Sequence, residues 1–139
     1  AIYRGGAANV SVYNSILWSN PSGDYTGTIT FSNCCATGLA AGVNGNLTND
    51  PLFVNTSVGD YRLQTAFPRW SVASNDCVHE SQTSPCIDAG TNQIWMDSAS
   101  DLDGLPRLSK GTNSTPVVDM GAYEAKPSPA APGNVFTFF

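Results

Sequence analysis

The stretch NVSVYNSILW, residues 9–18, decides the fold class of this chain. The apolar residues of the stretch that alternate with polar neighbours are Val10, Val12, Ile16 and Trp18. This period of two is typical of half-buried β-strands. The turn-forming cluster NPSGD, residues 20–24, separates it from a threonine-rich strand pattern, TGTITF, at residues 26–31. Two similar strand groups separated by a turn predict two successive coils of a solenoid.

The composition of the chain excludes several classes of protein. Charged residues make up 12% of the 139 residues, and small polar residues and turn formers replace them. Because Ser, Thr, Asn and Gly are weak helix formers, a helical bundle is disfavoured, and a hydrophobic fraction of 41% argues against intrinsic disorder. A net charge of −5 with six basic residues gives no electrostatic footprint for nucleic acid. No apolar run approaches the roughly 20 residues that span a bilayer, so we expect no membrane insertion.

The cysteines indicate an oxidising compartment. Cys34, Cys35, Cys77 and Cys86 form an even set without the spacing of a metal site, which favours disulfides and an extracellular or cell-surface location. Neighbouring residues of a strand point to opposite faces, so Cys34 and Cys35 are not expected to bond to each other. We expect each of them to pair with one of Cys77 and Cys86. The alternative is buried free thiols.

Four Asn-x-Ser/Thr triplets are possible glycosylation sites. They begin at Asn9, Asn46, Asn55 and Asn113. Each signal is weak alone because a chain rich in Asn, Ser and Thr forms such triplets by chance.

Five motifs in fixed order carry a family resemblance. They are NDPLFV at 49–54, GDYRLQ at 59–64, SPCIDAG at 84–90, DLDGLPR at 101–107 and VDMGAYE at 118–124. Together they resemble the C-terminal region of right-handed parallel β-helix proteins of the pectin-lyase-like superfamily, and most of all bacterial surface proteins termed choice-of-anchor Q domain proteins. The string NSILW at 14–18 resembles the last full coil before that region.

The resemblance implies an all-β chain with a short right-handed parallel β-helix of about two coils. On this interpretation residues 1–38 form the terminal coils, and residues 39–125 form an irregular, disulfide-tethered C-terminal cap. In proteins of the resembled family, the motif corresponding to RLQ at 62–64 is followed almost at once by the motif corresponding to SPC at 84–86. Residues 65–83 separate the two motifs in this chain, which predicts an inserted loop. Residues 126–139 form a proline-rich linker and a phenylalanine-rich tail strand.

A calcium site is one hypothesis for the acidic residues of the cap. Asp97, Asp101 and Asp103 precede Gly104, and hard oxygen ligands spaced by two suit Ca²⁺. The favoured alternative is a hydrogen-bonded turn in which Arg107 pairs with an aspartate. We expect no other cofactor.

The chain lacks a recognisable catalytic site. Polysaccharide lyases of the resembled fold use Lys or Arg as a base, and none of the six basic residues falls on a coil beside carboxylates. His79 and Glu80 follow Cys77, but a cysteine in a disulfide cannot act as a nucleophile. We therefore expect no catalytic residues and no enzymatic activity in this chain.

Aromatic side chains offer a platform on which a polysaccharide could stack. They are Tyr3, Tyr13, Tyr25, Trp18, Trp70 and Trp95. The favoured alternative is that these rings fill the core and the cap.

The functional hypothesis is an extracellular structural protein that associates head to tail into a fibre or surface assembly. The open end of the coils would bind the tail strand of another copy through Val135, Phe136, Phe138 and Phe139. The expected partners are copies of the chain or upstream β-helix coils. The alternative is the C-terminal part of a larger secreted β-helix polysaccharide lyase, hydrolase or adhesin whose active groove lies on other coils.

Overall fold

The structure, a computed structural model, describes residues 1–6, 9–71, 74–108 and 115–125. Within these ranges the chain consists of short strands and three 3₁₀ helices, and it is all-β, as the composition predicts. The strands are β1 (Ile2–Tyr3), β2 (Val10–Tyr13), β3 (Ile16–Leu17), β4 (Tyr25–Thr26), β5 (Ile29–Ser32), β6 (Cys35–Ala36), β7 (Phe53–Asn55), β8 (Asp60–Leu63), β9 (Arg69–Ser71) and β10 (Asp76–Val78). The 3₁₀ helices are η1 (Val43–Gly45), η2 (Thr56–Val58) and η3 (Ile94–Ser98).

Three parallel ladders stack the first strand group, which consists of β1, β2 and β3, on the second, which consists of β4, β5 and β6. Strand β1 pairs with β4, β2 with β5, and β3 with β6. The longest ladder runs in register from Val10 opposite Ile29 to Tyr13 opposite Ser32. A parallel bridge between Cys35 and Leu47 begins a third level. The two predicted strand groups are therefore neighbours in space. The sheets are short and two-stranded, and they form no closed solenoid within the described residues, so the parallel β-helix stays a prediction.

Asparagines turn the chain at equivalent places in the two strand groups. Asn14 lies between β2 and β3 with a φ of 49°, and Asn33 lies between β5 and β6 with a φ of 50°. Asparagine adopts this left-handed conformation at lower cost than most residues because its short side chain forms local hydrogen bonds. The matching turns keep β3 in register with β6.

Strands β3 and β6 separate two hydrophobic cores. The inner core consists of Leu17, Phe31, Cys34 and Ala36, with Ile2, Val12, Tyr25, Ile29 and Leu39 packed against it. The second core consists of Cys35, Leu63, Cys86 and Met120, with Ile16, Trp18, Leu47, Phe53, Ile87 and Ala89 around it. Alternation along a strand explains the division. Cys34 faces the inner core and Cys35 the second, which agrees with the expectation that these neighbours point apart.

The cap packs on the outer face of the β3–β6 sheet. Its residues Leu63, Cys86 and Met120 contact the outward side of both strand groups, since Ile16 and Cys35 border the same core. The antiparallel pair β7–β8 forms one wall of this core. The cap therefore braces both strand groups from the side.

The predicted insertion, residues 65–83, contains the antiparallel hairpin β9–β10. Glu80 fixes its base, because its N–H donates to the carbonyl of Thr65 and its carboxylate binds the Arg69 guanidinium. Burial alone would raise the pKa of Glu80, but the hydrogen bonds from Arg69 and from the Thr65 amide outweigh it and lower that pKa. The hairpin is thus attached through a charged, hydrogen-bonded base.

A search of the described residues for a membrane-crossing helix finds none of sufficient length and apolarity.

Candidate functional site

The outer edge of β1, β2 and β3 has no strand paired to it in the described part of the chain. Within the described ranges each of these strands has one strand partner, namely β4, β5 and β6. The Asn14 N–H donates to Ser32 O at 3.2 Å, and N–H groups alternate in direction along a strand. The N–H groups of Ser11 and Tyr13 therefore point away from β5. This open edge can accept another strand.

Apolar side chains border the open edge. Val12 is half-buried, whereas its ladder partner Phe31 in β5 is 5% exposed. Ile2 and Val10 are half-buried as well, although both carry aliphatic side chains on the first strand group. A further layer of strands would remove this apolar surface from water, which is favourable.

The last two motifs of the sequence meet in a buried polar network of the cap. The Arg107 guanidinium donates to Gly121 O at 3.0 and 3.1 Å and lies 3.4 Å from a carboxylate oxygen of Glu124. The Glu124 N–H donates to Asp101, and the Asp119 N–H donates to Glu124. Arg107 thus pairs with a glutamate, and not with an aspartate as the sequence suggested. The network folds the two motifs onto each other.

Asp101 and Asp103, two of the three residues proposed as calcium ligands, have protein partners. The Asp101 carboxylate accepts hydrogen bonds from the amides of Asp103, Leu105 and Glu124. The Asp103 carboxylate binds the Arg62 guanidinium through two hydrogen bonds. Asp97 lies in the first turn of η3. In the described part of the chain, no group of three or more His, Cys, Asp or Glu side chains is arranged so that it could hold a metal ion. The arrangement resembles the hydrogen-bonded turn more than a calcium loop.

Asp119 is a buried carboxylate of the cap. It is 2% exposed, and it accepts hydrogen bonds from the amides of Asp88 and Ala125 at 2.7 and 2.6 Å. Burial raises the pKa of Asp119 to about 6, although the two amides act in the opposite direction. The cap therefore holds a carboxyl group that changes charge near neutral pH.

Asn14 and Asn33 join the turns of the two strand groups to the cap. The Asn14 side chain accepts from the Thr91 amide at 2.8 Å and donates to Thr91 O at 2.9 Å. Asn33 donates to Ala89 O and accepts from the Thr91 hydroxyl. Gly90 of the cap lies between Val118 and Asn14, because a Cβ atom at this position would lie 2.6 Å from Val118 O and 3.2 Å from Asn14 Oδ1. Sequence reasoning missed these two asparagines; the repeated Asn before each second strand was the available signal.

The cysteines occupy three environments. Cys35 and Cys86 lie together in the second core, where the contact between the two thiols lowers the pKa of Cys35 and raises the pKa of Cys86. Cys34 is buried in the inner core, and Cys77 is exposed on β10. All four carry free thiols. The pairing of Cys34 and Cys35 with Cys77 and Cys86 stays a prediction. Of the four possible pairs, the structure brings together one, Cys35 and Cys86.

The possible glycosylation sites differ in accessibility. Asn9 and Asn55 are exposed. Asn46 is 5% exposed; it accepts from the Cys34 amide, and its own amide nitrogen donates to Phe31 O. A sugar on that nitrogen would displace this hydrogen bond. Asn113 lies outside the described residues, as do the tail residues Val135, Phe136, Phe138 and Phe139.

His79 is exposed, and the neighbouring Glu80 is held by Arg69. Asp24, the carboxylate on the coils, is 5% exposed and accepts hydrogen bonds from Asn20 and Thr37. Burial alone would raise the pKa of Asp24, but these hydrogen bonds outweigh it and lower that pKa. Both carboxylates are thus occupied by structural partners.

The aromatic residues proposed as one platform lie in different places. The Tyr25 ring packs on Phe31 with a centroid distance of 4.7 Å in the inner core, and Trp18 borders the second core. Tyr3, Tyr13 and Trp95 are 78%, 51% and 57% exposed. The side chain of Trp70 lies outside what the structure describes.

A polar cleft of about 480 Å³ lies beside Trp18. Its lining consists of Trp18, Ser19, Asp50, Leu52, Phe53, Thr56, Tyr61 and Gln64. Tyr61 is 52% exposed and meets the Phe53 ring edge-on at 5.4 Å. Aromatic faces next to carboxylate, amide and hydroxyl groups can bind ligands that carry both apolar faces and hydroxyls. Sequence reasoning included Trp18 but missed Tyr61, because the cleft forms only when the β7–β8 hairpin folds beside β3.

Comparisons with known proteins connect these features to a family. A family model described as "disaggregatase related" matches residues 10–90, which is more than half of the chain. The family is of the β-helix type, and the match carries nothing specific to choice-of-anchor Q proteins. No curated protein and no solved structure matches the chain.

Proposed function

We propose that this chain, which belongs to the disaggregatase-related family, is a non-enzymatic structural module that acts outside the cell. It associates head to tail through the open edge of β1, β2 and β3. This edge carries the proposal, because no described strand pairs with its outer side and half-buried apolar side chains lie beside it. Its partner is a second copy or another coil of parallel strands.

The finer fold belongs to the same proposal. The chain is a short right-handed parallel β-helix of about two coils with a lateral cap, of the kind found in choice-of-anchor Q surface proteins. The parallel register of the three ladders and the equivalent turns at Asn14 and Asn33 support it. The convergence of the cap motifs in one hydrogen-bonded network supports it as well.

The proposed complement of the open edge is the tail, through Val135, Phe136, Phe138 and Phe139. Addition of a strand to an exposed edge gives main-chain hydrogen bonds, and alternating apolar side chains fill the adjacent surface. Such a contact uses different surfaces on the two copies, so it propagates into a filament unless the rotation closes a ring.

Blocking one amide of the open edge tests the proposal. Ser11→Pro removes an N–H that points away from β5, and Ser11→Ala leaves that N–H in place as the matched control. We expect the wild type and Ser11→Ala to form concentration-dependent assemblies in sedimentation velocity. Ser11→Pro should remain a monomer with an unchanged circular dichroism spectrum.

Deletion of residues 134–139 tests the other half of the contact. We expect the truncated chain to be monomeric and to stay folded. A wild-type chain that is monomeric at every concentration, or a truncated chain whose assemblies persist, would refute head-to-tail association through these surfaces.

The second candidate is a part of a larger secreted β-helix lyase, hydrolase or adhesin that binds polysaccharide. The cleft lined by Trp18, Asp50 and Tyr61 supports a polysaccharide partner, and the family description itself contains the name of an activity. In this case the open edge stacks on other coils of the same protein, and the catalytic groove lies on those coils.

A glycan array followed by calorimetry tests the second candidate. Tyr61→Ala should weaken binding of any retained polysaccharide roughly tenfold, since an aromatic face in the cleft is lost. Tyr13→Ala is the matched control, because the Tyr13 ring is equally exposed but lies on β2 outside the cleft. Absence of any retained glycan, or equal losses in the two variants, would exclude this cleft as the binding site.

A further inference from the structure

The thiols of Cys35 and Cys86 meet at the interface between the coils and the cap. Both residues are 0% exposed and belong to the same hydrophobic core. The Cys35 thiol also contacts Asn49 O at 3.2 Å. Cys35 lies on β6, whereas Cys86 lies in the SPCIDAG motif of the cap.

Hydrogen bonds hold both backbones in place. The Cys35 N–H donates to Ser15 O at 2.9 Å. On the other side, the Cys86 N–H donates to the Ser84 hydroxyl at 3.1 Å, and Cys86 O accepts from the Met120 amide at 3.0 Å. Both cysteines thus have hydrogen-bonded backbones and side chains in one core, so a disulfide between them would join β6 to the cap.

The other two cysteines do not share this arrangement. The Cys34 thiol points to the opposite side of β6 and contacts Ser32 O and Val12 O at 3.3 and 3.4 Å. Cys77 is exposed on β10. Neither of them faces a second thiol in the described part of the chain.

We propose that Cys35 and Cys86 form a disulfide that fastens the cap to the coils, and that Cys34 and Cys77 remain thiols. The oxidant is a small disulfide such as oxidised glutathione. The thiolate of one of the two cysteines attacks one glutathione sulfur and releases one glutathione, and the thiolate of the other cysteine then attacks the protein sulfur of the mixed disulfide and displaces the second. Two protein thiols are oxidised to one disulfide, and one oxidised glutathione is reduced to two reduced molecules.

The exchange takes place before the cap docks on the coils. Because both residues are fully buried, the oxidant reaches them while the cap is undocked, and the bond forms during folding.

Counting thiols after refolding tests the proposal. The full chain is unfolded in guanidinium with a reductant and refolded with oxidised and reduced glutathione. It is then unfolded again and alkylated with N-ethylmaleimide. Intact mass should show two alkylated thiols, against four for protein refolded with reductant alone. Four alkylated thiols after refolding with oxidised glutathione would overturn the proposal.

Variants identify the bond, because Cys34 and Cys35 are adjacent and one peptide carries both. Cys34→Ala should retain the crosslink, and Cys35→Ala and Cys86→Ala should lose it. If Cys34→Ala loses the crosslink and Cys35→Ala retains it, the bond is formed by Cys34 and not by Cys35. This result would overturn the proposal.

A thermal measurement shows whether the bond fastens the cap. Oxidised wild type should melt roughly 10 °C above the reduced protein, because the bond closes the loop between residues 35 and 86 in the unfolded chain. The reduced and oxidised forms of Cys35→Ala should melt at the same temperature. Equal melting temperatures of oxidised and reduced wild type, with the bond present, would refute the fastening role.

Discussion

The Asp119 carboxyl group couples the protonation of one residue to the stability of the cap. It is 2% exposed, and burial raises its pKa to about 6 from an ordinary value of 3.8. The folded protein therefore keeps this proton at pH values where the unfolded chain has released it. Because the unfolded chain binds fewer protons between these two values, the free energy of unfolding falls as the pH rises through this window.

Asp119→Asn should remove this pH dependence. In the wild type, titration of Asp119 lowers the free energy of unfolding by about 2 kcal/mol between pH 4 and pH 7. In the variant the side-chain amide carries no charge, so the free energy of unfolding should fall by that much less over the same pH range. Urea unfolding at pH intervals of half a unit measures it.

Asp97→Asn is the control, since Asp97 is an exposed residue of η3. Its pH dependence should equal that of the wild type. If the free energy of unfolding depends on pH in the same way in the wild type and in Asp119→Asn, the role assigned to burial of Asp119 is contradicted.

At the scale of elements, the β9–β10 hairpin depends on one ion pair at its base. Arg69 and Glu80 bind each other with side chains that are 11% and 20% exposed. The Thr65 amide also donates to Glu80 at 2.9 Å. Residues 74–77 at the other end of the hairpin are exposed. The hairpin should therefore open locally without unfolding the two cores.

Arg69→Met should loosen the hairpin and leave the rest of the fold intact. The variant leaves the partly buried Glu80 carboxylate without its cation, which favours the open form. We expect limited proteolysis within residues 65–83 to proceed roughly tenfold faster or more. Mass spectrometry of the first fragments locates the cut.

Arg62→Met is the matched control, because it removes an arginine that binds Asp60 and Asp103 away from the hairpin. It should not accelerate cleavage within residues 65–83. Equal acceleration in both variants, or first cuts elsewhere, would show that the ion pair does not control the hairpin.

At the scale of the whole molecule, the cap and the coils share a core. Ile16 of the first strand group, Cys35 of the second and Met120 of the cap all border it. Gly121 of the cap also donates its N–H to Asn14 O at 2.8 Å. We therefore expect the two parts to unfold in one cooperative transition.

Met120→Ala tests this cooperativity. Met120 is 1% exposed, so the substitution leaves a cavity and should lower the free energy of unfolding by about 2–5 kcal/mol. Hydrogen exchange should show an equal loss of protection in β2 and β5 of the coils and in the cap. Loss of protection in the cap alone would mean that the coils fold independently.

The local sequence predicted the strand groups well. Alternation at Val10 and Val12 predicted β2, and TGTITF predicted β5, because these signals depend on near neighbours in the chain. The opposite orientation of Cys34 and Cys35 follows from the same alternation. The motifs also marked the segments that fold into the cap.

Contacts between distant segments could not be predicted. The sequence suggested that Arg107 pairs with an aspartate, but its carboxylate partner is Glu124, and Asp103 pairs with Arg62. Several carboxylates were compatible with each arginine. Only the packing of the cap motifs selects among them.

The sequence by itself determined the all-β class, the two strand groups and the turns between them, because periodicity and turn chemistry act over a few residues. The tertiary structure decided that the cap lies against the side of the coils, that Tyr61 joins Trp18 at one cleft, and that Cys86 meets Cys35 and not Cys34. These features depend on which face of β6 the cap covers. That choice is made by long-range burial of apolar surface, which no local pattern encodes.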